Sequence, residues 1–284
     1  MKVMSIFGTR PEMIKMWGTL KKLDELNFEH VMVHTGQNFT PELKDFFFRD
    51  LQLRKPDYEL GIDTSSYGKE VADVVRKSDE LMEKVKPDAL LILGDTYSGL
   101  SVLPAAHRGI KIFHMEAGLR AWDRRMPEQR NRILIDHISS ILLPYNQYHR
   151  ENLMREGIHP SKIIVTGNTT FETMRAFAPQ VAASDILLRL SLEPKKYILV
   201  TAHRSVLKDA CTRASILSNE KYRGVRFTLS SGEMQIVANN PEHEQAEEII
   251  EVEYQGDNLE IGFNVGYLLD VLNTLATDLV ILHL

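Results

Sequence analysis

Three acidic side chains in the first half of the sequence could share one reaction site. Asp95 and Glu116 each follow a short apolar stretch that is predicted as a strand, and Glu128 begins a predicted helix after Met126-Pro127. Neighbouring carboxylates can act as general acid and general base when burial and mutual repulsion separate their pKa values, and they could equally bind a divalent metal. Each acid alone is better explained as a loop cap, so only their shared location favours a site.

The segment Gly8-Thr9-Arg10-Pro11-Glu12 could bind an anion. Thr9 and Glu12 have the spacing of a capping box, and Pro11 lies in the first helical turn, where a missing N–H costs little. A strand, a glycine turn and a helix N-terminus together offer backbone N–H groups, and Arg10 and Lys15 would add cationic contacts to a phosphate. An ordinary capped helix with solvated cations explains the same residues equally well. The sequence contains neither a GxGxxG nor a GxxxxGK[ST] motif, so a dinucleotide or Walker loop is not supported.

His203 is the histidine that we expect to act as an acid or base, or to contact a pyrophosphate, because it follows the last predicted strand of the first half. Arg204 could assist it. The other histidines near strand ends or on helices are predicted to be mostly structural, because a single histidine is more often a satisfied polar group. Cys211 is the sole cysteine of the sequence, which excludes an internal disulfide and a cysteine-based zinc site and fits a reducing compartment.

Short β-rich runs alternate with helical stretches over residues 1–204, which predicts an α/β, doubly wound, Rossmann-like parallel sheet. Most of the runs are nearly continuous apolar stretches, as in strands that are buried on both faces. The predicted strands are Val3–Phe7, His30–His34, Ala89–Leu93, Lys111–His114, Ser140–Leu143, Lys162–Val165 and Tyr197–Val200. The predicted helices are Glu12–Leu26, Pro41–Leu51, Lys69–Val85, Gly99–His107, Pro127–Ser139, Gln147–Glu156 and Thr170–Ala176.

Polar segments follow most of these strands directly. Because ligands of such sheets bind outside the carboxyl ends of the strands, we expect the active site at this edge. The segments are Gly8-Thr9-Arg10, Thr35-Gly36-Gln37, Gly94-Asp95-Thr96, Glu116-Ala117-Gly118, Thr166-Gly167-Asn168 and Thr201-Ala202-His203-Arg204.

The pattern changes after Arg204, so we predict two domains, 1–204 and 205–284. Residues 205–284 contain 5 Lys and Arg against 13 Asp and Glu, whereas residues 1–204 contain 29 against 26. After a predicted helix, Leu207–Ser218, alternating apolar residues predict a small α+β segment with antiparallel hairpins. The first hairpin pairs Gly224–Leu229 with the strand after Ser231-Gly232, and the second pairs Ile249–Tyr254 with the strand after Gln255-Gly256-Asp257.

A last helix, Tyr267–Leu275, is predicted to bury one apolar face. The residues of that face are Tyr267, Leu268, Val271, Leu272 and Leu275.

The composition is that of an ordinary globular protein. The chain has 284 residues, of which 43% are hydrophobic and 26% charged, and this disfavours disorder, collagen-like repeats and coiled coil. No apolar stretch approaches the roughly 18 residues that a membrane helix needs, and no signal peptide is visible. We therefore expect a soluble, cytoplasmic protein with one large domain or two ordinary ones.

Residues 1–204 resemble the non-hydrolysing UDP-N-acetylglucosamine 2-epimerases and their relatives that act on related UDP-2-acetamido sugars. Several motifs in the same order over about two hundred residues make the resemblance specific. The segments that carry it are Phe7-Gly8-Thr9-Arg10-Pro11-Glu12 with Lys15, Thr35-Gly36-Gln37, Gly94-Asp95-Thr96, His114-Met115-Glu116-Ala117-Gly118-Leu119-Arg120, Pro127-Glu128 with Asn131-Arg132, Thr166-Gly167-Asn168 and Thr201-Ala202-His203-Arg204.

The resemblance implies an isomerase of the GT-B type, in which two Rossmann-like domains bind a UDP-sugar in their cleft. It implies a reaction without cofactor or metal: a base takes the C2 proton while UDP leaves from C1, and UDP and the proton then add back to the 2-acetamidoglycal with the proton on the other face. UDP-GlcNAc and UDP-ManNAc are interconverted in this way. The catalytic residues it implies are Asp95, Glu116, Glu128 and His203. The substrate-binding residues it implies are Gly8, Arg10, Lys15, Gln37, Arg120 and Arg204.

The sequence departs from this family after His203-Arg204, where the family continues into a second domain that holds uridine and diphosphate. From about Leu207 to Leu275 it looks instead like an incomplete third domain of the bacterial DNA polymerase sliding clamp (β clamp). Because much of the binding energy for UDP should come from the second domain, we expect turnover by this chain to be weak or absent. The clamp-like segments are Ala214–Lys221, Arg223–Arg226, Ala238–Glu242 and Glu260–Val265.

Three interpretations of this join remain open. The chain is an epimerase-like enzyme, or its tail is a clamp-like module that contacts replication proteins, or the join is a fusion accident without integrated function. The expected ligand is a UDP-sugar, and a homodimer is one open state. We expect no membrane contact and no independent nucleic-acid binding, since the tail is acidic.

Overall fold

A computed structural model describes residues 1–26, 28–38, 44–122, 126–193, 204–216, 218, 223–239, 245–252, 254 and 257–274 of the protein. Two compact units are present, Met1–Ala182 and Ala183–Leu284. Over these described ranges, no helix is both long enough and apolar enough to cross a membrane.

The first unit is built on a six-stranded sheet in which every described strand pair is parallel. The strand order is β3-β2-β1-β4-β5-β6, so the order reverses between β1 and β4. Such a switch point forms a crevice at the carboxyl ends of both strands. The strands are β1 (Lys2–Phe7), β2 (Glu29–His34), β3 (Tyr58–Glu59), β4 (Ala89–Leu93), β5 (Lys111–Met115) and β6 (Ile141–Leu143).

Helices connect these strands and cover the sheet. Thr9 and Glu12 form a capping box at the start of the first helix, and the Asn146 side chain caps the sixth by accepting from the His149 N–H. The helices are α1 (Arg10–Glu25), α2 (Asp45–Asp50), α3 (Tyr67–Val85), α4 (Val102–His107), α5 (Pro127–Ile138), α6 (Gln147–Arg155) and α7 (Thr169–Ala182), with 3₁₀ turns at Tyr97–Ser101 and Pro160–Lys162.

The central strands are buried on both faces, as their continuous apolar sequences predict. All five residues of β4 are buried. Leu91 and Leu93 pack toward α1 in one cluster, while Leu90 and Ile92 pack toward α3, α4 and α5 in another. The alternation of side chains along a strand divides the core in this way, and the predicted Rossmann-like α/β fold is confirmed.

Two details at the edges of the sheet differ from the prediction. Lys162–Val165 does not form a strand of the ladder; only an isolated parallel bridge joins Leu142 to Ile163. The two-residue strand β3, which pairs with the end of β2, is too short to leave an alternating pattern in the sequence. The predicted strand Tyr197–Val200 lies outside the described residues.

The second unit contains a four-stranded antiparallel sheet with strand order β10-β7-β8-β9. Its core unites one face of the sheet with two helices; Phe227 is fully buried, and Leu207 and Leu272 pack into the same cluster. The elements are α8 (Ile186–Arg189), α9 (Arg204–Ile216), β7 (Gly224–Ser230), β8 (Glu233–Asn239), β9 (Gln245–Glu251), β10 (Leu259–Asn264) and α10 (Val265–Thr274).

The second predicted hairpin is wrong. β9 pairs with β8, and β10 returns to pair with β7, so β9 and β10 lie at opposite edges of the sheet. The order of strands along the chain suggested the hairpin, but β7 offers β10 a free edge whose buried Val225, Phe227 and Leu229 continue the same core. A sheet that buries one face gains more from this extension than from an isolated two-stranded ribbon.

The predicted buried face of the last helix is only partly right. Leu272 is buried and Leu268 packs against the core, and so does Leu269. Tyr267 and Val271 are instead exposed, at 73% and 51%, and Leu275 lies outside the described residues. The buried stripe of α10 is thus rotated toward Leu269 relative to the predicted face.

Candidate active site

Glu116 lies at the centre of the candidate site, directly after β5, and is buried. Its Oε2 accepts hydrogen bonds from Lys15 Nζ at 2.5 Å and from the Tyr145 hydroxyl at 2.7 Å. Its Oε1 lies 3.2 Å from Nη1 of Arg132, and the same nitrogen donates to the Glu116 carbonyl at 2.8 Å. Helix α1, the loop after β6 and helix α5 therefore each supply one donor to a single carboxylate.

Arg132 joins Glu116 to Asp95, which follows the neighbouring strand β4. Nη2 of Arg132 contacts Oδ2 of Asp95, and Asn131 Nδ2 donates to the Asp95 carbonyl at 3.0 Å. The loop that carries Asp95 passes close to the second carboxylate, because a methyl group on Gly94 would lie 3.7 Å from Oε1 of Glu116. The two acids thus meet across one guanidinium at the carboxyl edge of the sheet.

The pKa values of the two carboxyls are shifted in opposite directions. Burial raises the pKa of Asp95, the charges of Glu116 and Glu128 add to this, and Arg132 opposes it. Burial alone would also raise the pKa of Glu116, but Lys15, Arg132 and Tyr145 outweigh it and hold that pKa below its usual value. Such a separation lets one carboxyl carry a proton while the other stays ionised.

Glu128 lies at the mouth of the same cluster. It is exposed in the first turn of α5, one turn before Arg132 on the same side of the helix, and its charge raises the pKa of Asp95. The three acids that the sequence singles out are therefore neighbours in the folded chain.

The sequence suggested that the backbone N–H groups of the Gly8-Thr9-Arg10 loop could bind an anion. In the structure these groups are already engaged. The N–H groups of Gly8 and Thr9 donate to Glu12 Oε2 at 3.0 and 2.9 Å, and the N–H of Arg10 donates to Asn38 Oδ1 at 2.9 Å. Thr96 Oγ1 donates to Glu12 Oε1 at 2.8 Å. Glu12 therefore ties the loop after β1 to the loop after β4, and cationic side chains remain as the groups that could bind a phosphate.

Arg10 is the cation best placed for that role. Its guanidinium lies 5.7 Å from the centre of the Phe47 ring, and it forms no ion pair with any residue that the structure describes. Lys15, by contrast, is paired with Glu116, although its side chain keeps an exposure of 29%.

Gly8 and Gln37 lie side by side at the carboxyl ends of β1 and β2. A methyl group on Gly8 would come within 1.9 Å of Thr35 Oγ1 and 2.6 Å of Ser98 Oγ, so the glycine permits a close approach of three chain segments. Gln37 Oε1 is buried and has no hydrogen-bond partner among the described residues, which leaves an acceptor next to the loop.

The remaining predicted site residues are placed differently. The Arg120 side chain is fully buried in an ion pair with Asp136, with 2.8 Å between Nη2 and Oδ2, and it also pairs with Glu156. Its guanidinium is thus engaged within the protein rather than in the Glu116 cluster. His203 lies outside the described residues, and of Arg204 only the backbone at the start of α9 is described.

Three further residues, Tyr145, Arg132 and Glu12, receive a place in the site from the fold; the sequence assigned none of them a catalytic or binding role. Tyr145 follows β6 and Arg132 follows Glu128 by one helical turn; the carboxyl-edge rule and helical spacing could have signalled them, but neither residue forms a motif on its own. Glu12 was predicted as a cap of α1, and its bond to Thr96 depends on a contact between distant loops.

Comparisons with known proteins agree with this architecture. A family model described as UDP-N-acetylglucosamine 2-epimerase matches residues 21–276. The UDP-N-acetylglucosamine 2-epimerase homolog of Methanococcus maripaludis is 37% identical over 230 residues, which cover 78% of this chain and 64% of the relative. The crystal structure of Methanocaldococcus jannaschii UDP-GlcNAc 2-epimerase in complex with UDP-GlcNAc and UDP superposes with a TM-score of 0.65 at 34% identity, and the match covers 67% of this chain and 53% of that one. The chain thus spans less than two thirds of the length of either.

A second similarity covers a shorter segment. The beta sliding clamp of Proteus mirabilis is 62% identical over 79 residues, or 28% of this chain and 22% of the clamp. The family match and the clamp match together exceed the length of the chain, so they overlap. The clamp match agrees with the resemblance of the tail to a sliding clamp, and the two similarities together are consistent with a join of two kinds of sequence.

Proposed function

The chain belongs to the UDP-N-acetylglucosamine 2-epimerase family, and from this premise we propose that its first unit carries the site for inversion at C2 of a UDP-2-acetamido sugar. The observation that carries the proposal is the pair Asp95 and Glu116, bridged by Arg132 at the carboxyl ends of β4 and β5, beside the switch point between β1 and β4. These residue types fit the reaction, which needs carboxyl groups that carry a proton at C2 and cations that stabilise the departing UDP.

The opposite pKa shifts assign different roles to the two bridged acids. Asp95, whose pKa burial raises, takes and returns a proton at C2. Glu116, held ionised by three donors, is a weak base and positions Lys15 and Arg132 instead. Inversion needs a second proton carrier on the opposite face of the sugar, and Glu128 at the mouth of the site is the described acid suited to it.

The departing UDP needs cations rather than backbone amides. When the C1–O bond breaks, the electron pair stays on the diphosphate oxygen, and the C2–H bond supplies the electrons of the new C1–C2 double bond. Arg10, without an ionic partner among described residues, and the partly exposed Lys15 are the cations we assign to the diphosphate. His203 and Arg204 remain predicted contacts of the same group.

The decisive experiment is proton exchange at C2, which is more sensitive than net turnover. We expect the full chain in D₂O to place deuterium slowly at C2 of UDP-GlcNAc and of the UDP-ManNAc formed alongside. Mass spectrometry would detect the deuterium, and ¹H NMR would distinguish the two epimers, which have equal mass. D95N should abolish the exchange. D88N is the matched control, because Asp88 immediately precedes β4 at the opposite end and accepts from the Lys2 N–H at 2.7 Å. Absence of exchange in the unsubstituted chain, or equal loss in both variants, would contradict the proposal.

A second candidate function rests on the clamp similarity alone. The 62% identity over 79 residues supports a clamp-like tail that contacts proteins of DNA replication. The test is fluorescence anisotropy of a labelled polymerase or clamp-loader peptide titrated with the full chain. Saturable binding that the unlabelled peptide abolishes by competition would support this function. An anisotropy that stays constant at high protein concentration would contradict it.

A further inference from the structure

Behind the candidate site lies a buried ionic network that the proposed chemistry does not use. His114 Nδ1 is 2.8 Å from Asp136 Oδ1, and both side chains are fully buried. Asp136 Oδ2 lies 2.8 Å from Arg120 Nη2, and Arg120 Nε donates to Glu156 Oε1 at 2.7 Å. Four ionisable side chains, from β5, α5, the C-cap of α6 and the loop after β5, thus form one chain of contacts.

The two ring nitrogens of His114 face two oxygens from different segments. Its Nε2 lies 2.8 Å from the Gly94 carbonyl oxygen, while Nδ1 faces the Asp136 carboxylate. The Nδ1–Oδ1 contact is short but does not have the geometry of a hydrogen bond, and neither atom has another hydrogen-bond partner among the described residues. Arg120 pairs with the buried Asp136 and with Glu156, whose side chain keeps an exposure of 24%.

His114 and Asp136 each contact one of the two loops that carry the bridged acids. His114 holds the carbonyl of Gly94, the residue before Asp95. Asp136 Oδ2 accepts from the N–H of Gly118 at 3.2 Å, two residues after Glu116, and Asn152 Nδ2 donates to the Gly118 carbonyl at 3.0 Å. One Asp–His pair therefore contacts both loops.

These loops need support, because their backbones are in the left-handed region. Gly94 and Gly118 have φ of 73° and 75°. Glu116, which unlike glycine carries a Cβ atom, has φ of 62°. Non-glycine residues persist in that region only where the surroundings hold them there. The contacts of the network at either side of Glu116 supply such restraint.

We propose that His114 and Asp136 are positioning residues that set the placement of Asp95 relative to Glu116. This inference rests on the proposed function of those two acids. An alteration in the Asp–His pair moves one loop against the other, and a displacement of about 1 Å in a reacting group can lower a rate on the order of 10²-fold.

The first unit contains a matched control pair at the opposite end of the sheet. His30 Nδ1 lies 2.6 Å from Asp24 Oδ1, with the His30 side chain 1% exposed, and Arg54 completes it through contact with Asp24 at 3.1 Å. His30 is the second residue of β2 and lies at the amino end of that strand. This group contains the same residue types, Asp, His and Arg, as the network. It lies at the other end of the sheet, away from the loops that carry Asp95 and Glu116.

The test compares D136N and H114Q with D24N and H30Q. In the full chain, ¹³C NMR of the Asp95 carboxyl, assigned with D95N, should show a titration midpoint that moves in D136N and H114Q and stays at the wild-type value in the control variants. In the D₂O assay, D136N should lower the limiting exchange rate on the order of 10²-fold, with KM unchanged. Thermal melting reports stability for all four variants.

The outcomes separate the two proposals. An Asp95 midpoint that stays constant in D136N and H114Q, or that moves equally in the control variants, would overturn the positioning role. Absence of exchange in the wild-type chain would contradict the proposed function, while the NMR titration would still decide the network. If D136N does not fold, H114Q, which keeps one N–H donor, supplies the same comparison.

Discussion

At the scale of single residues, the candidate site depends on how many donors each carboxylate accepts. Glu116 has three side-chain donors, whereas among the described residues Arg132 is the cation that acts on Asp95, and the acids Glu116 and Glu128 lie nearby. Donors to the ionised form lower a pKa, and burial and like charges raise it. The difference between the two acids is therefore a difference of surroundings, and substitution of a neighbour should change it.

Tyr145→Phe should raise the pKa of Glu116, because it removes the hydroxyl that donates to Oε2 at 2.7 Å. A hydrogen bond to a charged group contributes about 1.5–3 kcal/mol, so the exchange rate at C2 should also change. ¹³C NMR titration of the Glu116 carboxyl would measure the shift. Tyr148→Phe is the control, since Tyr148 is exposed on the next turn; an equal shift in both variants would remove Tyr145 from the site.

Glu12→Gln should change the pH dependence of stability. Burial, opposed by bonds from Gly8, Thr9 and Thr96, raises the pKa of Glu12 from 4.5 to about 7. The folded state then binds this proton more tightly than the unfolded state, so ionisation destabilises the fold as the pH rises from 4.5 to 7, by about 3 kcal/mol in total.

Urea unfolding at a series of pH values would measure this effect. Both tryptophans, Trp17 and Trp122, lie in the first unit, so their fluorescence follows that unit. The free energy of unfolding of E12Q should fall less steeply across this pH range than that of the wild type. Parallel curves for the two proteins would show that Glu12 does not titrate there.

At the scale of elements, the close meeting of β1, β2 and the 3₁₀ turn after β4 determines where the loops lie. Gly8 is the point of contact, because a methyl group there would collide with the hydroxyls of Thr35 and Ser98. These two hydroxyls are hydrogen-bonded to each other at 2.9 Å, so a displacement of either one would break this hydrogen bond.

Gly8→Ala should therefore destabilise the first unit by about 1–3 kcal/mol, the usual range for overpacking. Gly68→Ala is the matched control, since Gly68 lies in the first turn of α3 with no atom within 4 Å of the added methyl, and alanine favours a helix. Urea unfolding followed by tryptophan fluorescence would compare them. Equal midpoints for the two variants would show that the loops can separate without cost.

At the scale of the whole molecule, each unit has its own core. The clusters around Met13 and Leu90 belong to the first unit, and the cluster around Phe227 and Leu272 belongs to the second. A unit with a separate core can unfold as a separate cooperative transition. A cavity in one core should then leave the other transition unchanged.

Phe227→Ala should destabilise the second unit by about 3–5 kcal/mol, because it removes a fully buried ring. Far-UV circular dichroism should show an earlier transition, while the tryptophan transition of the first unit stays at its wild-type midpoint. The converse variant, Leu90→Ala, should shift the tryptophan transition of the first unit and leave the transition of the second unit at its wild-type midpoint. A common shift of both transitions in either variant would mean that the two units unfold as one.

Much of this protein was determined locally by its sequence. Continuous apolar runs predicted β1, β4 and β5, the capping box at Thr9 and Glu12 predicted the start of α1, and the polar segments after strands indicated the edge where Asp95 and Glu116 meet. These features depend on neighbours in the chain, because strand burial, helix capping and the carboxyl-edge rule follow from short patterns.

The tertiary structure decided what depends on distant residues. Pairing of β10 with β7, the bond from Thr96 to Glu12, and the commitment of Arg120 to Asp136 each required partners that lie far apart in the sequence. So did the opposite pKa shifts of Asp95 and Glu116, since burial and the donors Lys15, Arg132 and Tyr145 come from separate elements. Sequence patterns identify groups that can react, whereas the environment that sets their charge exists only after the chain has folded.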